Sequence, residues 1–109
     1  MLPKKNRVST KEVEEIFKEG RLLFSPSFTF KYIKNKEKRI KISFIAPKSV
    51  AKLAVTRNLL RRRGYAVFEK NIKLPLSIQG LTGVFIFKKY QDDVSIIENE
   101  IEKILIKIN

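Results

Sequence analysis

The sequence contains neither cysteine nor histidine. The first absence excludes a disulfide framework and any thiolate metal centre. The second removes the side chain most often used as a general base and as a metal ligand. Acidic residues are scarce, 11 against 24 basic ones, which leaves a formal charge of +13 on 109 residues. Long apolar runs are also missing. The longest uncharged stretch, residues 74–87, is interrupted by Pro75, Gly80 and Gly83 and is too short to span a bilayer. The basic start MLPKKNR is not followed by an apolar segment, so it does not read as a secretory signal. No internal repeat or low-complexity tract appears. The 43% hydrophobic content is enough for one modest core, and the length gives a single domain over residues 1–109, expected to be soluble and cytoplasmic.

The charge is unevenly distributed. Residues 1–91 hold 22 basic and 6 acidic residues, whereas residues 92–109 hold 2 and 5. A compact domain so basic repels itself, so a polyanion is expected as its working partner, with nucleic acid ahead of an anionic membrane surface. A membrane reading would need a helix with a broad apolar face opposite its basic one.

Ser9 and Glu12 form a capping-box pattern with Val8 and Val13 at the staple positions. Val13, Ile16 and Phe17 continue a helix that Gly20 stops. Residues 27–34 alternate, Phe28, Phe30 and Tyr32 pointing one way and Thr29, Lys31 and Ile33 the other. Residues 39–46 alternate again with Ile40, Ile42 and Phe44. With the polar NKEK between them, the two segments predict an antiparallel hairpin. A second helix is expected from about Val50 to about Lys70, a short apolar strand over 84–89, and a closing helix over Asp92–Ile108. Asp92 and Asp93 sit at the N-terminus of that last helix. The expected fold is α+β, an α/β sandwich of order α-β-β-(β)-α-β-α, the bracketed strand being an extra one hidden in a loop.

The second helix holds the densest charge: Arg57, Arg61, Arg62 and Arg63 with no acid among residues 57–63. A helical wheel gathers Ala54, Arg57, Asn58, Arg61, Arg62, Tyr65 and Phe68 on one side. Val55, Leu59, Leu60, Ala66 and Val67 fall on the other, with Arg63 among them. Guanidinium forks pair with phosphate oxygens and stack on bases, which suits a folded RNA; the bland alternative is a solvated charged face. The rings of Phe28, Phe30 and Tyr32 are ordinary core by the same reasoning, or a platform for single-stranded RNA, because every base has a face to stack.

The segments LPKKNRVSTKEVEEIFKEG, FTFKY and KSVAKLAVTRNLLRRRGY, in that order, resemble the protein subunit of bacterial ribonuclease P over about residues 2–108. The resemblance implies a sandwich with a left-handed βαβ crossover. It also implies an accessory role in an endonuclease that removes the 5′ leader of precursor tRNA. On that reading the RNA subunit performs the magnesium-dependent hydrolysis, the protein binds no cofactor of its own and needs no protein partner, and no catalytic residue is assigned to this chain. The family's basic helix begins Arg-Asn-Arg and contacts the catalytic RNA; Arg57 and Asn58 match, and Leu59 departs. Arg61, Arg62 or Arg63 is expected to cover that departure, with Lys48 and Lys52 adding charge ahead of the helix. A cleft between the first helix and the sheet holds the leader in the family, and its positions carry over to Val13, Phe17, Phe30 and Tyr32, with Arg7 at the rim. The alternatives are a small ribosomal protein that binds rRNA with the same arginines and, more remotely, a DNA-binding module. The latter wants a helix and a short turn ahead of its recognition helix, where Pro47 follows a strand instead.

Overall fold

The computed structural model describes residue 8 and residues 10–34, 40–71 and 80–108. The elements are α1 (Thr10–Glu19), β1 (Arg21–Phe24), β2 (Phe28–Lys34), β3 (Ile40–Ile45), α2 (Ala54–Asn71), β4 (Leu81–Phe87) and α3 (Val94–Ile108). The order is the expected one. The additional strand is β1, between the first helix and the first alternating segment. The Ser9 cap, the NKEK turn and Pro75 lie outside the described residues.

The expected hairpin between residues 27–34 and 39–46 does not form. The sheet order is β1-β2-β4-β3, with β4 antiparallel to β2 and parallel to β3. The cause is visible in β4, where six of seven residues are buried. A strand covered on both faces belongs in the interior of a sheet, and β4 takes that place by separating β2 from β3. The hairpin that does exist is β1–β2. Its turn is closed by the Ser25 amide donating to the Phe28 carbonyl at 2.9 Å and the Phe28 amide donating to Ser25 Oγ at 3.2 Å. The β3–α2–β4 segment supplies the βαβ crossover.

Directly paired residues share a face, so the register divides the sheet in two. Phe28, Phe30, Tyr32, Ile42, Phe44, Phe85 and Phe87 face one way and join Leu60, Tyr65, Val67 and Phe68 of α2 and Ile97, Ile101, Ile104 and Leu105 of α3 in one core. Ring centroids of 4.2 Å for Phe30–Phe85 and 5.0 Å for Phe44–Phe85 put these side chains in stacked contact. Gly64 and Gly83 make this packing possible, because a Cβ at either would run into the rings of Phe44 and Phe30 respectively. The opposite face carries Thr29, Lys31, Ile33, Lys41, Ser43, Ile45, Thr82, Val84 and Ile86 and receives α1 through Ile16.

The last helix starts as its acidic residues suggest. Asp93 Oδ1 accepts from the amides of Ser95 at 2.9 Å and Ile96 at 3.4 Å, an N-cap. Glu100, buried on the same helix, accepts the Ser27 amide at 2.6 Å and so fastens α3 to the β1–β2 turn. Burial raises its pKa. The nearness of the Ser27 and Ser25 hydroxyls, the hydrogen bond from the Ser27 amide and the charge of Lys89 outweigh that effect and hold the carboxyl below its ordinary value.

Candidate nucleic-acid interface

Helix α2 lies on the sheet rolled away from the expected wheel. Tyr65 and Phe68, assigned to the outward face, are buried, whereas Val55, Leu59 and Ala66, assigned to the packing face, are exposed, Val55 by 78% and Leu59 by 42%. Burying two rings removes more apolar surface from water than is left exposed on the valine, the alanine and the partly covered leucine, and the helix settles on its larger residues. Tyr65 also makes a polar contact there, its hydroxyl accepting the Phe44 amide at 3.3 Å.

That roll sets the arginines. Arg57 donates to the carbonyls of Ala51 at 3.1 Å and Lys52 at 2.8 Å, closing the turn ahead of the helix. Arg61 Nε donates to the Phe44 carbonyl at 3.2 Å. With Tyr65 this satisfies the outer N–H and C=O of Phe44 on the edge strand β3, a position otherwise open to another strand. Asn58 and Arg62 project outward between them, and Lys48 and Lys52 are exposed on the preceding turn. Arg63 departs from the group: it reaches toward the Gln91 carbonyl at 3.5 Å and lies 6.0 Å from the Tyr90 ring centroid. The structure therefore brings Arg57, Asn58, Arg61 and Arg62 together and sets Arg63 on the side of α3.

The cleft residues do not all meet. Val13 and Phe17 lie on α1, over one face of the sheet. Phe30, fully buried, and Tyr32, 8% exposed, lie in the core on the other face. Their assignment to the cleft is corrected: strand side chains alternate, and a shift of one residue sends a side chain through the sheet. The β2 residues on the α1 side are Thr29, Lys31 and Ile33. Lys31 Nζ sits 4.7 Å from the Phe17 ring centroid, and Phe17 is 46% exposed. Arg7 is outside the described residues. Helix α1 is tied to β3 by the Val8 amide donating to Ser43 Oγ at 3.3 Å and by Lys41 with Glu12 at 3.2 Å.

Burial shows how far α1 reaches. Thr82 and Val84 beneath it are buried, but the next row of the same face, Phe24, Thr29, Ile86 and Ile45 on β1, β2, β4 and β3, is only half-covered or exposed. This row is the floor of a groove beside α1. At the β3 end it opens into a hollow of about 340 Å³ bounded by Val13, Ser43, Ile45, Arg57, Asn58 and Arg61. A second hollow of about 450 Å³ follows along α2, bounded by Asn58, Arg61, Arg62, Tyr65, Ala66 and Glu69. The arginine flank and the groove are thus one continuous surface. Sequence reading missed Thr29, Lys31 and Ile86 as groove residues. The alternation already contained the signal, for Thr29 and Lys31 occupy the strand positions opposite the phenylalanines. Among the described residues no group of three or more Asp and Glu is arranged to hold a metal ion, and no helix is long and apolar enough to cross a membrane.

Comparison with known proteins follows the same line. The family model described as Ribonuclease P matches residues 2–109. The RNase P protein from Thermotoga maritima superposes with a TM-score of 0.82 at 22% identity, covering 94% of this chain and 97% of that one. A Staphylococcus aureus RNase P protein mutant with defective mRNA degradation activity gives 0.79 at 21% identity, covering 96% and 88%. At these identities the superpositions speak for the fold. No curated relative matches the sequence directly.

Proposed function

Because the chain belongs to the ribonuclease P protein family, we propose that it acts as the protein subunit of an RNA-based tRNA 5′-maturation endonuclease, binding the catalytic RNA through α2 and the single-stranded leader of precursor tRNA in the groove beside α1. The observation that carries this reading is the continuity of the two surfaces, with Arg57, Asn58 and Arg61 standing at the mouth of the groove. A leader emerging from a tRNA docked on the catalytic RNA passes from the guanidiniums directly onto the sheet.

Each part has a physical task. Asn58 and Arg62 are exposed and present donors to phosphates, with no side-chain hydrogen bond to either among the described residues, while Arg57 and Arg61 keep guanidinium nitrogens for RNA beyond those that hold the backbone. Phe17 offers a ring face for a base, and Lys31 beside it holds a cation for the adjoining phosphate. Hydrolysis would belong to the RNA subunit, where bound magnesium would supply Lewis-acid and charge-stabilising chemistry, and this chain's residues have no bond-breaking role. The protein lowers phosphate repulsion and fixes the leader so that the scissile bond stays aligned. The corresponding place of work is the cytoplasm.

Reconstitution tests the proposal. Added to its cognate ribozyme at low magnesium, the chain is expected to rescue removal of the leader, and to bind precursor tRNA more tightly than mature tRNA only in the ribonucleoprotein. Cleavage by the chain alone, or indifference to the ribozyme together with cosedimentation on ribosomal subunits, would replace this reading with another.

A further inference from the structure

The groove continues past Phe17 to the far edge of the sheet. There the exposed strand β1 carries Leu22 and Phe24, 47% and 59% exposed, on the same face as Lys31. Lys88, just beyond β4, places its Nζ 5.6 Å from the Phe24 ring centroid and donates to the Ser25 carbonyl at 3.2 Å. This repeats the pairing of Phe17 with Lys31, a ring open to solvent with an ammonium held beside it. We infer that Phe24 and Lys88 form a second stacking station for single-stranded RNA, engaging leader nucleotides upstream of those held at Phe17; the inference rests on the proposal that the groove carries the leader.

Three arguments favour RNA over another occupant. The strands and their flanks are basic, since residues 21–34 and 80–91 contain no aspartate or glutamate, and Glu100, the carboxylate fastened to the β1–β2 turn, is buried. An apolar contact between copies of this chain would have to bring two such fields together. The spacing also fits. Phe24 pairs with Thr29 and Leu22 with Lys31, so the two stations are offset by two residues along the strands, about 6.8 Å, a step of the order of one extended nucleotide. Lastly, the floor from Ile45 to Phe24 crosses three strand spacings, about 14 Å, so a chain entering at Arg57 and Arg61 reaches Phe24 last.

That order gives the test. In the reconstituted ribonucleoprotein, affinity is measured for precursor tRNAs whose leaders are lengthened one nucleotide at a time, with Phe24→Ala, Lys88→Ala and Phe17→Ala variants. Phe24→Ala is expected to weaken binding about tenfold, but only once the leader exceeds the length at which Phe17→Ala already acts. Lys88→Ala should follow the same length dependence, and Lys88→Arg should restore binding. If Phe17→Ala shows its leader effect while Phe24→Ala shows none at any length, the second station is refuted and the groove assignment stands. If neither variant responds to the leader, the groove assignment itself falls. A loss for Phe24→Ala that is equal with leaderless tRNA, or that tracks a monomer–dimer equilibrium in sedimentation, overturns the inference in favour of a structural or self-association role. Because Phe24 is mostly solvent-exposed, its truncation is expected to leave the unfolding midpoint near wild type.

Discussion

The two faces of one four-stranded sheet have opposite fates. On one, the phenylalanines of β2, β3 and β4 are sealed under α2 and α3 and stack on one another. On the other, α1 covers only part of the surface and leaves rings and lysines exposed. The same strands build both, with alternate residues sent to each. The more aromatic face is the closed one, and the more mixed face, with Thr29 and Lys31, is the one available to a ligand. An aromatic stripe at strand spacing shows that a face is apolar; the covering layer decides whether it is free.

The sharpest contrast between the faces comes from neighbouring residues on β2. Phe30→Ala empties a fully buried position that stacks on Phe85 and should cost about 3–5 kcal/mol in denaturant unfolding, with little specific loss of leader affinity per folded molecule. Were Phe30→Ala to leave stability intact and abolish leader binding instead, the assignment of faces would be reversed.

Glu100 probes the seal itself. Glu100→Gln should lower stability by about 1–3 kcal/mol by weakening the hydrogen bond from the Ser27 amide. Since the folded-state pKa is depressed, the wild-type contribution is complete above the ordinary carboxylate range and is lost as pH falls through the depressed value. The variant should lack that acid-side loss, which parallel melts between neutral and acidic pH will read.

On the open side the effects should appear in binding rather than folding. Arg62→Ala is expected to weaken affinity for the catalytic RNA by about 1–3 kcal/mol and to reduce the salt slope by about one, at unchanged stability. Arg57→Ala and Arg61→Ala should reduce both, because each arginine also holds backbone carbonyls. Salt titrations alongside melting curves separate the two classes. The smallest stability change, within about 0.5 kcal/mol, is expected for Phe17→Ala, whose effect should be confined to precursors that carry a leader.

Much of this architecture was legible in local pattern. The period of Val13, Ile16 and Phe17, the alternation of residues 27–34 and the acidic start of the last helix each announced their elements, and the run of arginines announced its helix. What local pattern could not supply was placement. The central position of β4 follows from burial on both faces, a property of the assembled sheet. The short strand Arg21–Phe24 has no alternation of its own to announce it and is defined by its pairing with β2. The roll of α2 was misread because the arginines drew the wheel's polar face, whereas Tyr65 and Phe68 decided its packing. The groove residues were misplaced by one position along a strand, the smallest sequence error that reverses a face.

An interior strand of the sheet, β4, is the last of its four strands along the chain. Until residues 81–87 have emerged, β2 and β3 have nothing between them to complete their ladders, and the rings of Phe28, Phe30 and Phe44 lack the Phe85 and Phe87 side chains they pack against. Assembly must therefore wait for a distant segment to insert between strands already made, a high-contact-order event that is slow relative to helix formation. A nascent chain stalled before that point would carry its cationic helix without a finished sheet, ready to adhere to any RNA in reach while still unable to hold a substrate.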